Sequence, residues 1–146
     1  EETRRERLEM AMGQYERAAA GIALKEPRKR RALESLYLRN AMFYMGDCAF
    51  DLGDFDEAVR RYEIAKERYP NDPASLVAMV QVVNAYVERG DFERARTANV
   101  RARRFYESLP ETVWDDPNLP MTRRDWERWL DASARLYALE SERSAD

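Results

Sequence analysis

The hexapeptide GDFDEA at Gly53–Ala58 returns as GDFERA at Gly90–Ala95 and, in blurred form, stands earlier as GQYERA at Gly13–Ala18. The copies are 40 and 37 residues apart, a spacing at which self-similarity marks stacked repeats. Each copy follows one helical stretch and precedes another, so it is expected to form the turn of a helix hairpin. Gly53 and Gly90 can take the left-handed backbone that closes a helix, a conformation that a Cβ makes costly. Asp54 and Asp91 then cap the next helix, and Glu57, three residues beyond Asp54, completes a capping-box pattern. Tyr15, Phe55 and Phe92 are the aromatic plugs of the bends. Ala18, Ala58 and Ala95 are small where two helices approach closely.

Helices extend outward from these turns. In Glu34–Leu52 the residues Leu38, Met42, Met45, Ala49 and Leu52 recur at steps of three and four, the spacing of one helix face. After the turn, Ala58, Tyr62, Ala65 and Tyr69 continue the pattern until Pro70 ends it. YPNDPAS is a breaker cluster from which a new helix starts, with Asn71 or Asp72 as cap and Pro73 in the first turn. Ser75–Val87 holds five valines, which favour strands. It lacks strict alternation, exceeds a typical strand and ends on Gly90-Asp91, so a helix is expected, apolar on several sides because it lies between neighbours.

Composition removes several functional classes. The chain has 146 residues, 45% hydrophobic and 36% charged, enough for one well-patterned domain. Its net charge of −3 offers no global field for nucleic acid. Cys48 is alone and His is absent, which excludes a disulfide framework and a Cys-rich zinc site and removes the commonest general base. No cofactor or metal site is expected, and the acidic pair Asp115-Asp116 lies in a Pro-rich connection where loop solvation is the simpler role. No apolar run approaches a membrane span. The chain starts without Met and in mid-pattern, as a piece of a longer protein would; its compartment stays open between bacterial cytoplasm and periplasm.

These residues resemble the tetratricopeptide repeat, a 34-residue helix-turn-helix unit. Met42, Met45-Gly46, Ala49, Ala58, Tyr62 and Pro70 stand at the family's positions in a copy over 39–72. A second copy over 76–109 keeps Met79, Val82, Tyr86, Gly90, Phe92, Ala95 and Ala102. It departs at Val83, where the family has a small residue, at Asn99, where it has an aromatic, and at Glu107, where Pro is usual. A partial repeat over 1–26 preserves a turn and a second helix. The resemblance implies an all-α fold, a TPR-like α-solenoid. The joints also resemble those of bacterial cell-envelope members, and an excess of Arg over Lys, 22 to 3, fits a GC-rich bacterial source.

At the ends, Pro27 precedes a helix that can begin as early as Arg28, and the basic run Arg28–Arg31 is expected to be a solvated helix start, the alternative being a nucleic-acid or localisation patch. Arg101, Arg103 and Arg104 are a water-facing stripe. Leu109–Thr122, with three prolines, is an extended connection. Thr122, with Asp125 three residues on, caps a C-terminal helix over 122–141. Its apolar residues Trp126, Trp129, Leu130, Tyr137 and Leu139 are expected to close the end of the solenoid, the alternative for the two Trp being an aromatic cage for a cationic ligand.

The resemblance further implies that first helices of successive repeats line a groove for a peptide or partner helix. The candidate partner-binding residues are Asn40, Phe43, Tyr44, Asp47, Gln81, Asn84 and Glu88. Gln81, Asn84 and Glu88 make a polar line on an otherwise apolar helix, and partly buried amides require partners. Phe43 and Asp47 stand where the family's carboxylate clamp has Lys and Asn, so that clamp is absent. With Asp47, Asp51 and Glu88 the groove favours polar or basic segments. The expected function is therefore non-enzymatic protein–protein interaction or scaffolding, without nucleic acid or membrane insertion. The alternative is a structural domain that self-associates as a homo-oligomer.

Overall fold

A computed structural model describes residues 2–117, 119 and 122–145 of the chain. The two Gly-Asp turns organise it. Gly53 and Gly90 have φ of 79° and 75°. The Gly53 amide returns to Phe50 O and that of Asp54 to Ala49 O, both at 3.0 Å; Gly90 and Asp91 repeat this on Val87 O and Tyr86 O at 2.9 Å. Both turns are therefore Schellman closures, which satisfy the last carbonyls of the helix they end. Asp54 then accepts from the Glu57 amide at 3.3 Å and Asp91 from the Arg94 amide at 3.1 Å, opening the next helix. The capping box expected at Glu57 is not closed: its carboxylate turns outward to Arg60 and Arg61. Those contacts, Arg60 foremost, hold its pKa down to about 2.

Among the described residues six α-helices follow: α1 Glu2–Ala23, α2 Ala32–Asp51, α3 Phe55–Arg68, α4 Pro73–Glu88, α5 Phe92–Ser108 and α6 Arg123–Ala145. Each packs along its neighbour in sequence, while α2 touches α4 and α4 touches α6. The even-numbered helices thus form one layer, on which α1, α3 and α5 pack. Helix α6 takes the place of a first helix in a further unit. No helix is long and apolar enough to cross a membrane among the described residues.

Three expectations for the N-terminal region are corrected. GQYERA is not a turn, since α1 runs through Gly13 without a break. Gln14 replaces the capping Asp, and its longer side chain favours helix interior over cap, so nothing stops propagation. Ala18 is consequently exposed, and Ala19 is the alanine buried against α2. Helix α1 still packs on α2 as α3 packs on α4, which is the place of a second helix. Helix α2 begins at Ala32 rather than Arg28, because Pro27–Lys29 forms a 3-10 turn. Within the basic run Arg30 is not solvated: it donates to Ile22 O, Ala23 O and Lys25 O at 3.2 Å, tying up the carbonyl end of α1.

The valine-rich segment is helical. Asp72 accepts from the Ala74 amide at 2.9 Å with Pro73 in the first turn, and Val80 and Val83 are fully buried, Val80 against Trp126 and Leu130 and Val83 in the part of the core that holds Tyr62. The departures at Val83 and Asn99 have a common cause. In the first hairpin Gly46 lies against the Tyr62 ring, leaving no space for a Cβ. In the second hairpin the pair at equivalent positions is Val83 and Asn99, both buried, so the larger side chain has moved to the first helix. The hairpin is as closely packed as the other.

Asn99 also gains a new task. Its Nδ2 donates to Leu130 O at 3.3 Å, and Arg103 bridges from Asn99 Oδ1 at 3.2 Å to Asp131 at 2.6 Å, docking α6 on α5. The Arg stripe is thereby corrected, since Arg103 faces α6 while Arg101 and Arg104 are exposed. Thr122 and Asp125 exchange the expected capping bonds at 3.2 and 3.3 Å. Trp126, 1% exposed, and Leu130 enter a cluster of Leu76, Val80, Phe105 and Leu109. Trp129 is half-buried beside them, whereas Leu139 is exposed. The side chain of Tyr137, and Pro120, lie outside the described residues. The connection expected to be extended contains a 3-10 helix, Glu111–Asp115, held by Arg123 through Glu111 and the Tyr106 and Trp114 rings.

A candidate partner-binding groove between the first helices

Where α2 and α4 approach, a cleft of about 190 Å³ opens, lined by Asn40, Phe43, Tyr44, Asp47, Tyr62 and Val77, with Arg39, Ala74 and Ala78. Phe43 is mostly buried and forms the floor, with Tyr69 behind it at 6.1 Å between ring centroids. Tyr44 is exposed at the mouth, where Tyr15 of α1 rests on it at 5.7 Å. Four of the seven candidate residues are thus brought together: Asn40, Phe43, Tyr44 and Asp47.

The polar wall is a chain of contacts. The Tyr62 hydroxyl donates to Asp47 at 2.5 Å and also meets the Gln81 side chain. Asn84 Nδ2 donates to Gln81 Oε1 at 2.8 Å. Gln81 and Asn84 are thus joined to the cleft through Tyr62, and part of the hydrogen-bonding demand of the polar line is met inside the protein. Glu88 ends α4, exposed and outside the cleft. Burial raises the pKa of Asp47, with Asp51 adding to the rise and the Tyr62 bond opposing it. Burial, then Asp47, raises that of Tyr62. Asp47 is exposed as a residue, and one oxygen of its carboxylate accepts from the Tyr62 hydroxyl.

Arg39, absent from the sequence-derived candidates, closes the other end. It grips both Asp72 oxygens at 2.6 and 2.7 Å, donates to Asn40 Oδ1 at 2.7 Å and lies 5.4 Å from the Phe43 ring centroid. Burial pushes Asp72 up, but Arg39 and the Ala74 amide outweigh it and hold the carboxyl below its usual range. An ion pair 33 residues apart leaves no periodic signal, which is why sequence reading passes it by. With Arg39 neutralised by Asp72, the open charges of the cleft are acidic. Chemically the site offers an apolar slot, amides that can set register, and a carboxylate beside a phenol.

A family model described as tetratricopeptide repeat matches residues 37–108, a span holding most of α2 and all of α3, α4 and α5. No curated protein and no solved structure matches the chain.

Proposed function

The chain is a tetratricopeptide repeat protein through residues 37–108, and on that premise we propose that it is a scaffold which holds a segment of a partner protein in the groove between α2 and α4. Such repeats generally mediate protein–protein interaction or scaffolding, and they typically bind proteins or peptides. We divide the array into repeats over 39–72 and 76–109, flanked by a partial repeat over 1–26 and a capping helix from 122 through at least 141.

The observation that supports the groove is the cleft itself: apolar at Phe43 and Val77, polar at Asn40 and Asp47, with Tyr44 exposed at its mouth. Apolar contact there supplies affinity, and the Asn40, Gln81 and Asn84 side chains set register. A catalytic role for Cys48 is disfavoured by its chemistry. Burial, with Asp47 and Asp51, pushes the thiol pKa up, opposite to what activates a nucleophile.

Once a partner is captured, Tyr44→Ala with Asn40→Ala is expected to weaken it by about 1–2 kcal/mol or more in titration calorimetry. Arg101→Ser with Arg104→Ser on α5 is expected to change little. The reverse order of effects would move the working surface off the groove.

A further inference from the structure

Helix α2 carries an exposed line that its own fold does not cover. Leu33, Tyr37, Asn40, Tyr44, Asp47 and Asp51 follow at alternating steps of four and three, so they share one face at a period of 3.5. Leu33 is 78% exposed, Tyr37 40% and Tyr44 47%, with Leu36 at 52% beside them. Tyr15 of α1 supports the line from one side, its ring 6.4 Å from Tyr37 and 5.7 Å from Tyr44. The residues of α2 turned the other way, among them Leu38, Ala41, Met45 and Ala49, are buried.

The line is also graded in charge. Arg28, Lys29 and Arg31 are exposed at its start, where Glu26 answers Arg28 and Lys29 together at 3.0 and 3.7 Å and leaves the end net positive. Asp47 and Asp51 are exposed at its finish. Such a line complements itself when reversed end for end. With Leu33 of one copy on Tyr44 of the second, Tyr37 meets Asn40, and Asp47 and Asp51 fall over the segment that precedes Ala32, where Arg28, Lys29 and Arg31 are exposed. A parallel arrangement would instead put like charges together.

We propose that this face of α2 is a self-pairing surface, on which a second copy of the chain lies antiparallel about a two-fold axis between Tyr37 and Asn40. Every contact then occurs twice, as an isologous interface requires. Twenty helical residues provide a seam about 30 Å long. The pairing rests on the groove reading above, because it covers Asn40, Tyr44 and Asp47 at the mouth of the cleft. A second copy and a partner segment accordingly compete.

Sedimentation equilibrium of the chain over a concentration series tests this. A reversible monomer–dimer equilibrium that weakens with added salt is expected. Leu33→Glu, at a side chain without a role in the core, should raise the dimer Kd at least about tenfold, with an unchanged circular dichroism spectrum. Arg28→Glu and Asp51→Arg should each weaken self-pairing, and an equimolar mixture of the two should recover a heterodimer. A monomer at every concentration, a dimer indifferent to Leu33→Glu, or a mixture that fails to recover overturns the pairing. Capture of a partner segment in the cleft is judged by its own titration, so the two readings fail separately.

Discussion

Replacing Gly46 with Ala puts a methyl group where no space exists. A Cβ at this position would lie 2.5 Å from Tyr62 Cε1, 2.6 Å from Cδ1 and 3.0 Å from Cζ. The ring cannot yield easily, being 2% exposed and tied through its hydroxyl to Asp47 at 2.5 Å. Overpacking of this kind costs about 1–3 kcal/mol. Ala is favoured over Gly inside a helix by about 1 kcal/mol, so the net effect of Gly46→Ala is destabilisation by up to about 2 kcal/mol. In a Tyr62→Ala background the obstructing ring is gone, and the same substitution should stabilise by about 1 kcal/mol. Tyr62→Ala alone costs about 3–5 kcal/mol, within the 5–15 kcal/mol or so typical of a domain. Urea unfolding of all four chains by circular dichroism gives the coupling, expected at about 1–3 kcal/mol with a change of sign between backgrounds. Equal effects of Gly46→Ala with and without Tyr62 would refute the steric reasoning, and with it the view that Val83 and Asn99 redistribute volume in the second hairpin.

Trp126→Ala should destabilise the chain by about 3–5 kcal/mol in the same assay, as loss of a fully buried aromatic does, whereas Trp129→Ala at a half-buried ring should cost clearly less; equal costs would contradict their placement. Two carboxylates pull the acid limb of stability in opposite directions. Glu57 has its folded pKa lowered to about 2, so its contribution is complete above its ordinary range near 4.5 and is lost as pH falls toward 2. Asp47 has its folded pKa raised, so its contribution is present at low pH and lost as pH rises through that folded value. Glu57→Gln should therefore destabilise near neutrality and lose its effect as pH falls through about 2, while Asp47→Asn should stabilise near neutrality, with unfolding midpoints across pH as the measure.

The layered helical fold was legible because its signals are local. Gly53-Asp54 and Gly90-Asp91 each determine a turn by backbone freedom and a side chain that reaches an amide within three residues. GQYERA misled for the same reason: glycine alone does not stop a helix, and without the Asp the segment continues as α1. Asn40, Phe43, Tyr44 and Asp47 line one cleft because helical spacing aligns them on one face of α2. Glu88 followed the same spacing but lies beyond the reach of the cleft, since periodicity specifies a face and not how far along it a neighbour extends. Arg39-Asp72 and Asn99-Leu130 are tertiary contacts between separate elements, which no periodicity encodes.

The Arg39-Asp72 clasp joins two functions in one pair of side chains. Arg39 lines the cleft, and Asp72 caps α4 through the Ala74 amide. Loss of either side chain would therefore be felt twice, in the wall of the cleft and at the joint where one repeat hands over to the next.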